Sequence, residues 1–245
     1  MDPANSPFQF AVITGVNGGL GEALAKVFLE HGMSVAGIGR QPEPKLSAAT
    51  PRFSYWRADV ADAAQVAAAF AAIHSHFGRI DVVLNNAALY PKVSILEQPP
   101  EEWAATIGAN VNGVAYCCHA ALRLMLMQGR GRIYNVGSFA DLAPIPKSAA
   151  YAASKGAVRA LVKGIAADLQ GVNADIQVHE WVPGHLRTRM SDFTGTEPEV
   201  AARWCLQIVL ADKASKNGSI FEFDREWKPP EGLRRRLMRL AGLKR

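Results

Sequence analysis

Residues 8–21 read FQFAVITGVNGGLG, a short apolar run that ends in a cluster of glycines. The run predicts a buried β-strand, and the recurrence of Leu20, Leu24 and Phe28 predicts a helix directly after it. Glycines at such a junction allow a sharp turn and let the backbone approach a pyrophosphate, whose charge the helix N-terminus stabilises. Ser34–Gly39 supplies the next strand, and no Lys-Ser or Lys-Thr pair follows the glycines as a P-loop requires. The stretch therefore predicts a dinucleotide-binding turn.

Short apolar runs and helical stripes continue to alternate along the chain. Continuous apolar strands separated by helices are typical of a parallel sheet that is covered on both faces. We therefore predict an α/β protein with a three-layer, doubly wound Rossmann fold and a mostly seven-stranded parallel sheet. Residues 1–230 are expected to form this single domain, and residues 231–245 a basic tail. The predicted strands are Phe8–Thr14, Ser34–Gly39, Phe53–Arg57, Asp81–Asn85, Gly131–Gly137, Asp175–Val182 and Ser219–Phe223. Helical faces run through Val66–Phe77, Trp103–Met125, Tyr151–Leu169 and Glu197–Leu210.

The composition is that of a globular chain, with 245 residues, 49% hydrophobic and 20% charged, and a mean hydropathy of +0.01. No apolar run reaches the roughly 18 residues that a membrane span needs. The polar, acidic start Met1–Asn5 does not resemble a signal peptide, so we expect a cytoplasmic protein. Three cysteines without a C-x-x-C pair are expected to be reduced, and the unclustered histidines predict no metal site.

Basic residues concentrate at the C-terminus. Residues 231–245 carry six basic side chains against one acid, Glu231, which accounts for the whole formal net charge of +5. A nucleic-acid-binding domain would spread positive charge over a face of the fold, so we predict no nucleic-acid partner. Leu233, Leu237 and Leu240 recur at helical spacing in the tail. We favour docking of these leucines on the subunit or a neighbouring subunit over association of the tail with an anionic membrane surface.

Arg40 follows the second predicted strand, where a Rossmann fold holds the adenine ribose. A carboxylate at this place would bind the ribose hydroxyls and repel a 2′-phosphate. No acid occurs between Glu30 and Glu43, whereas the Arg40 guanidinium can bind a phosphate through charge-assisted hydrogen bonds. We therefore expect NADP(H) rather than NAD(H) as the cofactor.

Ser138 stands at the end of the fifth predicted strand, directly after Gly137, and a Tyr151-Ala-Ala-Ser-Lys155 motif follows it. Tyr151 and Lys155 are four residues apart, so their side chains lie on one face of a helix. A phenol has an ordinary pKa of about 10, and a nearby ammonium with an oxidised nicotinamide would lower that pKa. The Ser138 hydroxyl can hold a substrate oxygen beside the phenol. The combination predicts acid–base chemistry at a carbonyl or alcohol.

With these motifs, the chain resembles the short-chain dehydrogenase/reductase family, in its compact single-domain branch, over roughly residues 8–224. The glycine turn matches the family's T-G-x-x-x-G-x-G pattern, and Tyr151 with Lys155 matches Y-x-x-x-K. The other matching positions are Asp59-Val60 after the third strand, Asn85-Asn86-Ala87 after the fourth, Asn110 in a helix, Ser138, and the segment Pro183-Gly184-His185-Leu186-Arg187-Thr188.

The resemblance implies that hydride passes between nicotinamide C4 and a carbonyl carbon. It implies that Tyr151 protonates the oxygen, that Ser138 orients it, and that Lys155 lowers the phenol pKa while holding the nicotinamide ribose. Asn110 completes the implied catalytic set by linking the lysine to solvent through water. The implied cofactor contacts, taken with Arg40, are Gly15, Asn17, Gly19, Leu20, Gly21, Asp59, Val60, Asn86, Ala87, Tyr151, Lys155, Pro183, Gly184, Leu186 and Thr188.

Two positions depart from the family's pattern. Ala88 stands where glycine usually follows Asn-Asn-Ala, and its methyl group could crowd the loop beside the cofactor. Phe223–Trp227 stands where the last strand often ends in Asp-Gly-Gly. In many relatives that end packs across a tetramer axis, so we expect a homo-oligomer and leave dimer and tetramer open.

The substrate lid is expected after Thr188. Apolar candidates favour a small-molecule hydrophobic ketone or alcohol, while Arg187, Arg189 and Arg203 leave an anionic substrate open. The alternative function is a non-catalytic NADP(H)-binding regulatory or scaffold protein of the same fold, against which the complete set of catalytic residue types argues. The apolar candidates are Leu142, Pro144, Ile145, Met190, Phe193, Trp204 and Leu206.

Overall fold

The computed structural model describes residues 8–46, 50–211 and 215–228. These residues contain one eight-stranded sheet in the order β3-β2-β1-β4-β5-β6-β7-β8. Strands β1 to β7 pair in parallel, and β8 pairs antiparallel with β7. The strands are β1 Phe10–Thr14, β2 Ser34–Gly39, β3 Phe53–Arg57, β4 Val82–Asn85, β5 Arg130–Val136, β6 Asp175–Val182, β7 Ile220–Glu222 and β8 Arg225–Trp227. The predicted doubly wound α/β fold is confirmed.

Helices cover both faces of the sheet. Alternate side chains of β1 point to opposite faces, so that Ala11 and Ile13 pack beneath α1 and α6 while Phe10 and Val12 pack beneath α2, α4 and α5. Two separate apolar clusters therefore lie on opposite faces of the sheet. Each cluster lies between the sheet and a layer of helices, which gives the three layers. The helices are α1 Gly19–Glu30, α2 Ala63–Phe77, α3 Pro100–Ile107, α4 Gly113–Gln128, α5 Ala149–Asp168 and α6 Pro198–Ala211.

The order of the strands reverses direction between β1 and β4. Ligands of doubly wound sheets bind beyond the carboxyl ends of the strands at such a switch point. The turn after Thr14 and the loop after Asn85 meet there, since both residues end these two strands.

The first strand is shorter than predicted, because a side chain rather than a neighbouring strand accepts hydrogen bonds from the backbone at its start. The buried Asp81 carboxylate accepts hydrogen bonds from the backbone N–H groups of Gln9 at 2.8 Å and Phe10 at 3.0 Å. Asp81 itself precedes β4 rather than beginning it. A carboxylate thus anchors the start of the central strand.

The single helical face predicted over Trp103–Met125 is interrupted. A π-helical segment, Gly108–Asn112, separates α3 from α4. Such segments insert an extra residue into a helical turn and occur frequently at functional sites. Here the segment contains Asn110, whose side chain is buried.

The eighth strand was not predicted. Phe223 follows β7 with φ of 55° and turns the chain back into β8. The Trp181 indole donates a hydrogen bond to the Phe223 carbonyl oxygen at 2.9 Å and fixes this turn. Because β8 contains two charged residues in three, it lacks the apolar run by which the other strands were recognised.

No helix in the described part of the chain is long and apolar enough to cross a membrane. The predicted basic tail at 231–245 lies outside the described residues, and its docking stays a prediction.

Candidate active site

The glycine turn depends on residues without a side chain. Gly15 has φ of +67°, and a Cβ there would lie 2.8 Å from Ala87 Cα. A Cβ on Gly21 would collide with the Gly15 carbonyl oxygen. The Asn86 side chain donates hydrogen bonds to the carbonyl oxygens of Thr14 and Gly15 at 3.0 and 3.2 Å. The turn after β1 and the loop after β4 therefore hold one another in place.

The segment after β6 crosses the glycine turn. A Cβ on Gly19 would lie 3.0 Å from Thr188 Cγ2, so these two predicted cofactor residues are neighbours. Pro183 is buried at the end of β6, and Gly184 has φ of +82°. This arrangement brings the predicted pyrophosphate and nicotinamide contacts to one edge of the sheet.

Two predicted cofactor residues point away from this edge. The side chains of Leu20 and Leu186 belong to the apolar cluster beneath α1 and α6. Any contact of these residues with a cofactor would therefore come from their backbone.

Arg40 and Asp59 lie together beyond the ends of β2 and β3. Arg40 Nη1 is 3.8 Å from Asp59 Oδ2, and the Arg40 side chain is 60% exposed. Arg57 donates to the Arg40 carbonyl oxygen at 3.3 Å. The Arg57 guanidinium therefore lies beside the Arg40 backbone, and the Arg40 guanidinium lies beside the Asp59 carboxylate.

The side chains of Asn17 and Val60 contact other parts of the chain. The Asn17 side chain donates to the Glu43 carbonyl oxygen and accepts from the Lys45 N–H, both at 3.0 Å, which ties the glycine turn to the segment after β2. Val60 is buried against Gly113 at the start of α4. These contacts shape the edge on which the other predicted cofactor residues lie.

Ser138, Tyr151 and Lys155 meet at the carboxyl end of β5. The Ser138 side chain is near enough to the Tyr151 hydroxyl to lower its pKa, and Ser138 Oγ accepts from the Ala140 N–H at 3.1 Å. Lys155 Nζ donates to the Val136 carbonyl oxygen at 2.7 Å and lies 5.4 Å from the centroid of the Tyr151 ring. The structure thus brings together the three side chains that the sequence predicts.

Burial is the largest influence on the pKa values of Tyr151 and Lys155. Burial raises the pKa of Tyr151 to about 12, although the hydrogen bond from Ser138 acts in the opposite direction. Burial also lowers the pKa of Lys155 to about 8, against the opposing charge of Glu180. In the protein alone, desolvation of the phenol dominates and the Lys155 ammonium is directed to the Val136 carbonyl oxygen. The lowering of the phenol pKa by Lys155 together with an oxidised nicotinamide stays a prediction.

Asn110 fixes the loop above the site. Its side chain accepts from the Leu89 N–H at 2.7 Å and donates to the Leu89 carbonyl oxygen at 2.9 Å and to Ser154 Oγ at 3.0 Å. The next residue of that loop, Tyr90, stacks on Tyr151 with ring centroids 4.6 Å apart. The water-mediated link to Lys155 stays a prediction. Tyr90 was missed, since only its position after the Asn-Asn-Ala motif could have indicated it.

The expected substrate residues divide into two groups. Leu142, Ile145, Met190 and Phe193 are exposed, as an apolar rim requires. Trp204 and Leu206 are half-buried and pack against the apolar cluster beneath α1 and α6, and their place in the lid stays a prediction. Of the three arginines named above, Arg203 pairs with Glu30, Arg187 pairs with Glu197, and Arg189 is exposed.

Residues 9–199 match the short chain dehydrogenase family, and the chain therefore belongs to the short-chain dehydrogenase/reductase family of oxidoreductases. It is 36% identical over 202 residues to the 2-(R)-hydroxypropyl-CoM dehydrogenase of Xanthobacter autotrophicus, covering 78% of this chain and 80% of that protein. It is 30% identical over 224 residues to the 3beta-hydroxysteroid dehydrogenase of Mediterraneibacter gnavus, covering 84% of this chain and 80% of that protein.

Solved structures share the fold. A 3-ketoacyl-(acyl-carrier-protein) reductase from Brucella melitensis, complexed with NADH, has a TM-score of 0.81 at 25% identity and covers 87% of this chain and 96% of its own. ElxO with NADP bound has a TM-score of 0.78 at 24% identity, covering 88% of this chain and 97% of its own. Both nicotinamide cofactors thus occur among proteins of this fold.

Proposed function

We propose that the protein is an NADP(H)-dependent oxidoreductase that reduces a ketone or aldehyde and, in the reverse direction, oxidises an alcohol. The observation that carries the proposal is the grouping of Tyr151 and Ser138 beside Lys155, at the same sheet edge as the glycine turn. Family membership and the names of the relatives, which include a hydroxypropyl-CoM and a hydroxysteroid dehydrogenase, support this reaction class.

The residues fit a nicotinamide dinucleotide. Gly15, Gly19 and Gly21 leave the turn without side chains at the N-terminus of α1, where a pyrophosphate is stabilised. Thr188 is next to Gly19 and is suited to hold the nicotinamide amide, while Lys155 would hold the ribose. The bound cofactor would supply or accept the hydride.

The proton is handled by this chain's own side chains. A Tyr151 pKa of about 12 keeps the phenol protonated at neutral pH, as a proton donor to a carbonyl oxygen must be. Ser138 Oγ already accepts a hydrogen bond from Ala140, so its O–H is directed toward Tyr151 or a substrate oxygen. Lys155, with a pKa of about 8, is mainly cationic at neutral pH and favours the phenolate that remains after proton transfer.

The test of this reaction is whether the protein turns over any ketone of a panel. Turnover is monitored by the loss of NADPH absorbance. The wild type should oxidise NADPH with at least one apolar ketone, and Lys155→Ala should lose both turnover and cofactor affinity. Lys163→Ala, at an exposed position of the same helix, is the matched control and should retain both. Binding of NADPH without turnover of any ketone or alcohol would favour the regulatory or scaffold alternative instead.

The preference for NADP(H) is proposed from Arg40 and Arg57. NADPH should bind more tightly than NADH by about 1–3 kcal/mol, the range for hydrogen bonds to charged groups. Arg40→Ala should remove most of this difference, whereas Arg123→Ala, an exposed position on α4, should leave it intact. Equal affinities of the wild type for the two cofactors in a fluorescence titration would contradict the assignment.

The single domain over residues 1–230, the cytoplasmic location and the assembly as a homo-oligomer remain predictions. The exposed Leu142, Ile145, Met190 and Phe193 support an apolar substrate, and we propose a hydrophobic ketone or alcohol over an anionic one.

A further inference from the structure

A buried ionic cluster lies directly behind the catalytic residues. Arg159 is on the same face of α5 as Tyr151 and Lys155, one further turn along the helix. Its guanidinium forms a bidentate pair with the Glu180 carboxylate, with both N–O distances at 2.9 Å. Glu180 is fully buried on β6 and the Arg159 side chain is 10% exposed. Burying this charge pair costs desolvation free energy, so we ask what the pair does beside the active site.

The remaining donors of Arg159 hold the turn that begins at Ser138. Nη2 donates to the Ser138 carbonyl oxygen at 3.0 Å, and Nη1 donates to Asp141 Oδ2 at 2.6 Å. Phe139–Asp141 forms a single 3-10 turn, so one guanidinium binds both of its ends. The same guanidinium lies 5.3 Å from the centroid of the Phe139 ring.

The other side of the pair is held by the sheet. A Cβ on Gly137 would collide with the Glu180 carboxylate, so the glycine before Ser138 leaves the space that the carboxylate occupies. The Gly137 N–H also donates to the Trp181 carbonyl oxygen at 2.7 Å, which joins this strand end to β6. Glu180 therefore holds Arg159 at a fixed distance from the end of β5.

We propose that the Arg159–Glu180 pair is a positioning device of the active site, which fixes the Ser138 turn so that the serine hydroxyl faces the Tyr151 phenol. The inference rests on the proposed function. Ser138 Oγ accepts from Ala140 within this turn, and the orientation of the hydroxyl therefore follows the turn. Arg159 and Glu180 act through Ser138. A planar, rigid guanidinium suits this role because it makes four hydrogen bonds to three partners, whereas an ammonium has only three donors and no bidentate geometry.

Turnover and stability of Arg159 variants test the proposal. Arg159→Met should lower kcat by about 10- to 100-fold, the scale of an ångström-sized misplacement at a reacting centre, with NADPH affinity unchanged. Arg159→Lys should recover only part of the loss. Arg132→Met is the matched control, because Arg132 is also buried and pairs with Asp175, yet it lies at the opposite end of β5. It should reduce the unfolding temperature and leave kcat unchanged.

A double variant separates positioning from folding. Arg159→Met with Glu180→Met removes the fully buried Glu180 carboxylate and leaves only that of Asp141 without its partner, so thermal stability should recover in part relative to Arg159→Met alone. The turn would still lack its anchor, and kcat should remain low. Recovery of wild-type kcat together with stability would show a purely structural role and overturn the proposal, as would wild-type kcat in Arg159→Met.

Hydrogen exchange gives a readout that needs no substrate. In the protein without cofactor, peptides that cover residues 138–143 should exchange about tenfold faster in Arg159→Met, because local opening of the turn costs less. Arg132→Met should leave these peptides unchanged. Unaltered exchange in Arg159→Met would contradict the positioning role, whereas an inactive wild type with the expected exchange pattern would contradict only the proposed reaction.

Discussion

Lys155 is expected to lower the free energy of unfolding of the protein at neutral pH. It is 4% exposed, and burial lowers its pKa from the ordinary 10.5 to about 8. At 1.36 kcal/mol per unit of pKa, this difference corresponds to a cost of about 3 kcal/mol for keeping the ammonium charged in the folded state at neutral pH. Its hydrogen bond to the Val136 carbonyl oxygen returns about 1 kcal/mol. Lys155→Met should therefore raise the free energy of unfolding at pH 7 by about 2 kcal/mol while abolishing turnover.

The dependence on pH identifies the cause. The unfolded chain binds more protons at Lys155 than the folded chain between the two pKa values, so wild-type stability gains from this residue as pH rises from about 8 toward 10.5. By about pH 10 the cost falls below about 1 kcal/mol and the advantage of Lys155→Met should disappear. Urea unfolding of wild type and variant at both pH values measures the difference, with Lys163→Met as the exposed control on α5. A variant less stable than wild type at pH 7, or a gain equal at both pH values, would refute this reasoning.

Two further predictions concern the loops around the site. Gly15→Ala should destabilise the fold by about 1–3 kcal/mol and weaken cofactor binding, because it combines a left-handed φ with a Cβ contact of 2.8 Å to Ala87. The control is Gly164→Ala, at an exposed helical position with open space, which should stabilise the fold by about 0.5–1 kcal/mol when both variants are unfolded in urea. Asn110→Ala should cost about 2–4 kcal/mol of unfolding free energy, since it removes three hydrogen bonds, two of them to the Leu89 backbone. A loss below about 1 kcal/mol would show that water replaces the Asn110 amide.

Local patterns made most of the catalytic group predictable. The glycine turn is a contiguous strand–turn–helix stretch, and Tyr151 with Lys155 depends only on helical periodicity. Arg159 and Glu180 are different, because the pair joins a helix to a strand 21 residues later and no periodicity links them. A glutamate near the end of the predicted sixth strand was the available signal, but its partner could not be identified without the fold.

The pKa values of the site residues were less predictable than the identities of those residues. The position of Tyr151 followed from the motif, yet the direction of its pKa shift depends on desolvation, which the folded neighbours determine. The lid residues show the same limit, since core packing selects the apolar side chains that a substrate pocket would select, and the half-buried Trp204 and Leu206 pack against the core. Sequence patterns specify which residue types meet, whereas burial sets what each of them does.

The central claim is that the Tyr151 hydroxyl transfers the proton in carbonyl reduction. It is tested most directly by kcat of Tyr151→Phe on a ketone that the wild type reduces, measured with the NADPH affinity of the same protein. Tyr116→Phe, on α4 outside the site, controls for the loss of a phenol hydroxyl elsewhere. We predict that Tyr151→Phe lowers kcat by about 10²- to 10⁴-fold, the usual contribution of a general acid, and binds NADPH as the wild type does. Near-normal turnover by Tyr151→Phe, with Tyr116→Phe also active, would contradict the account.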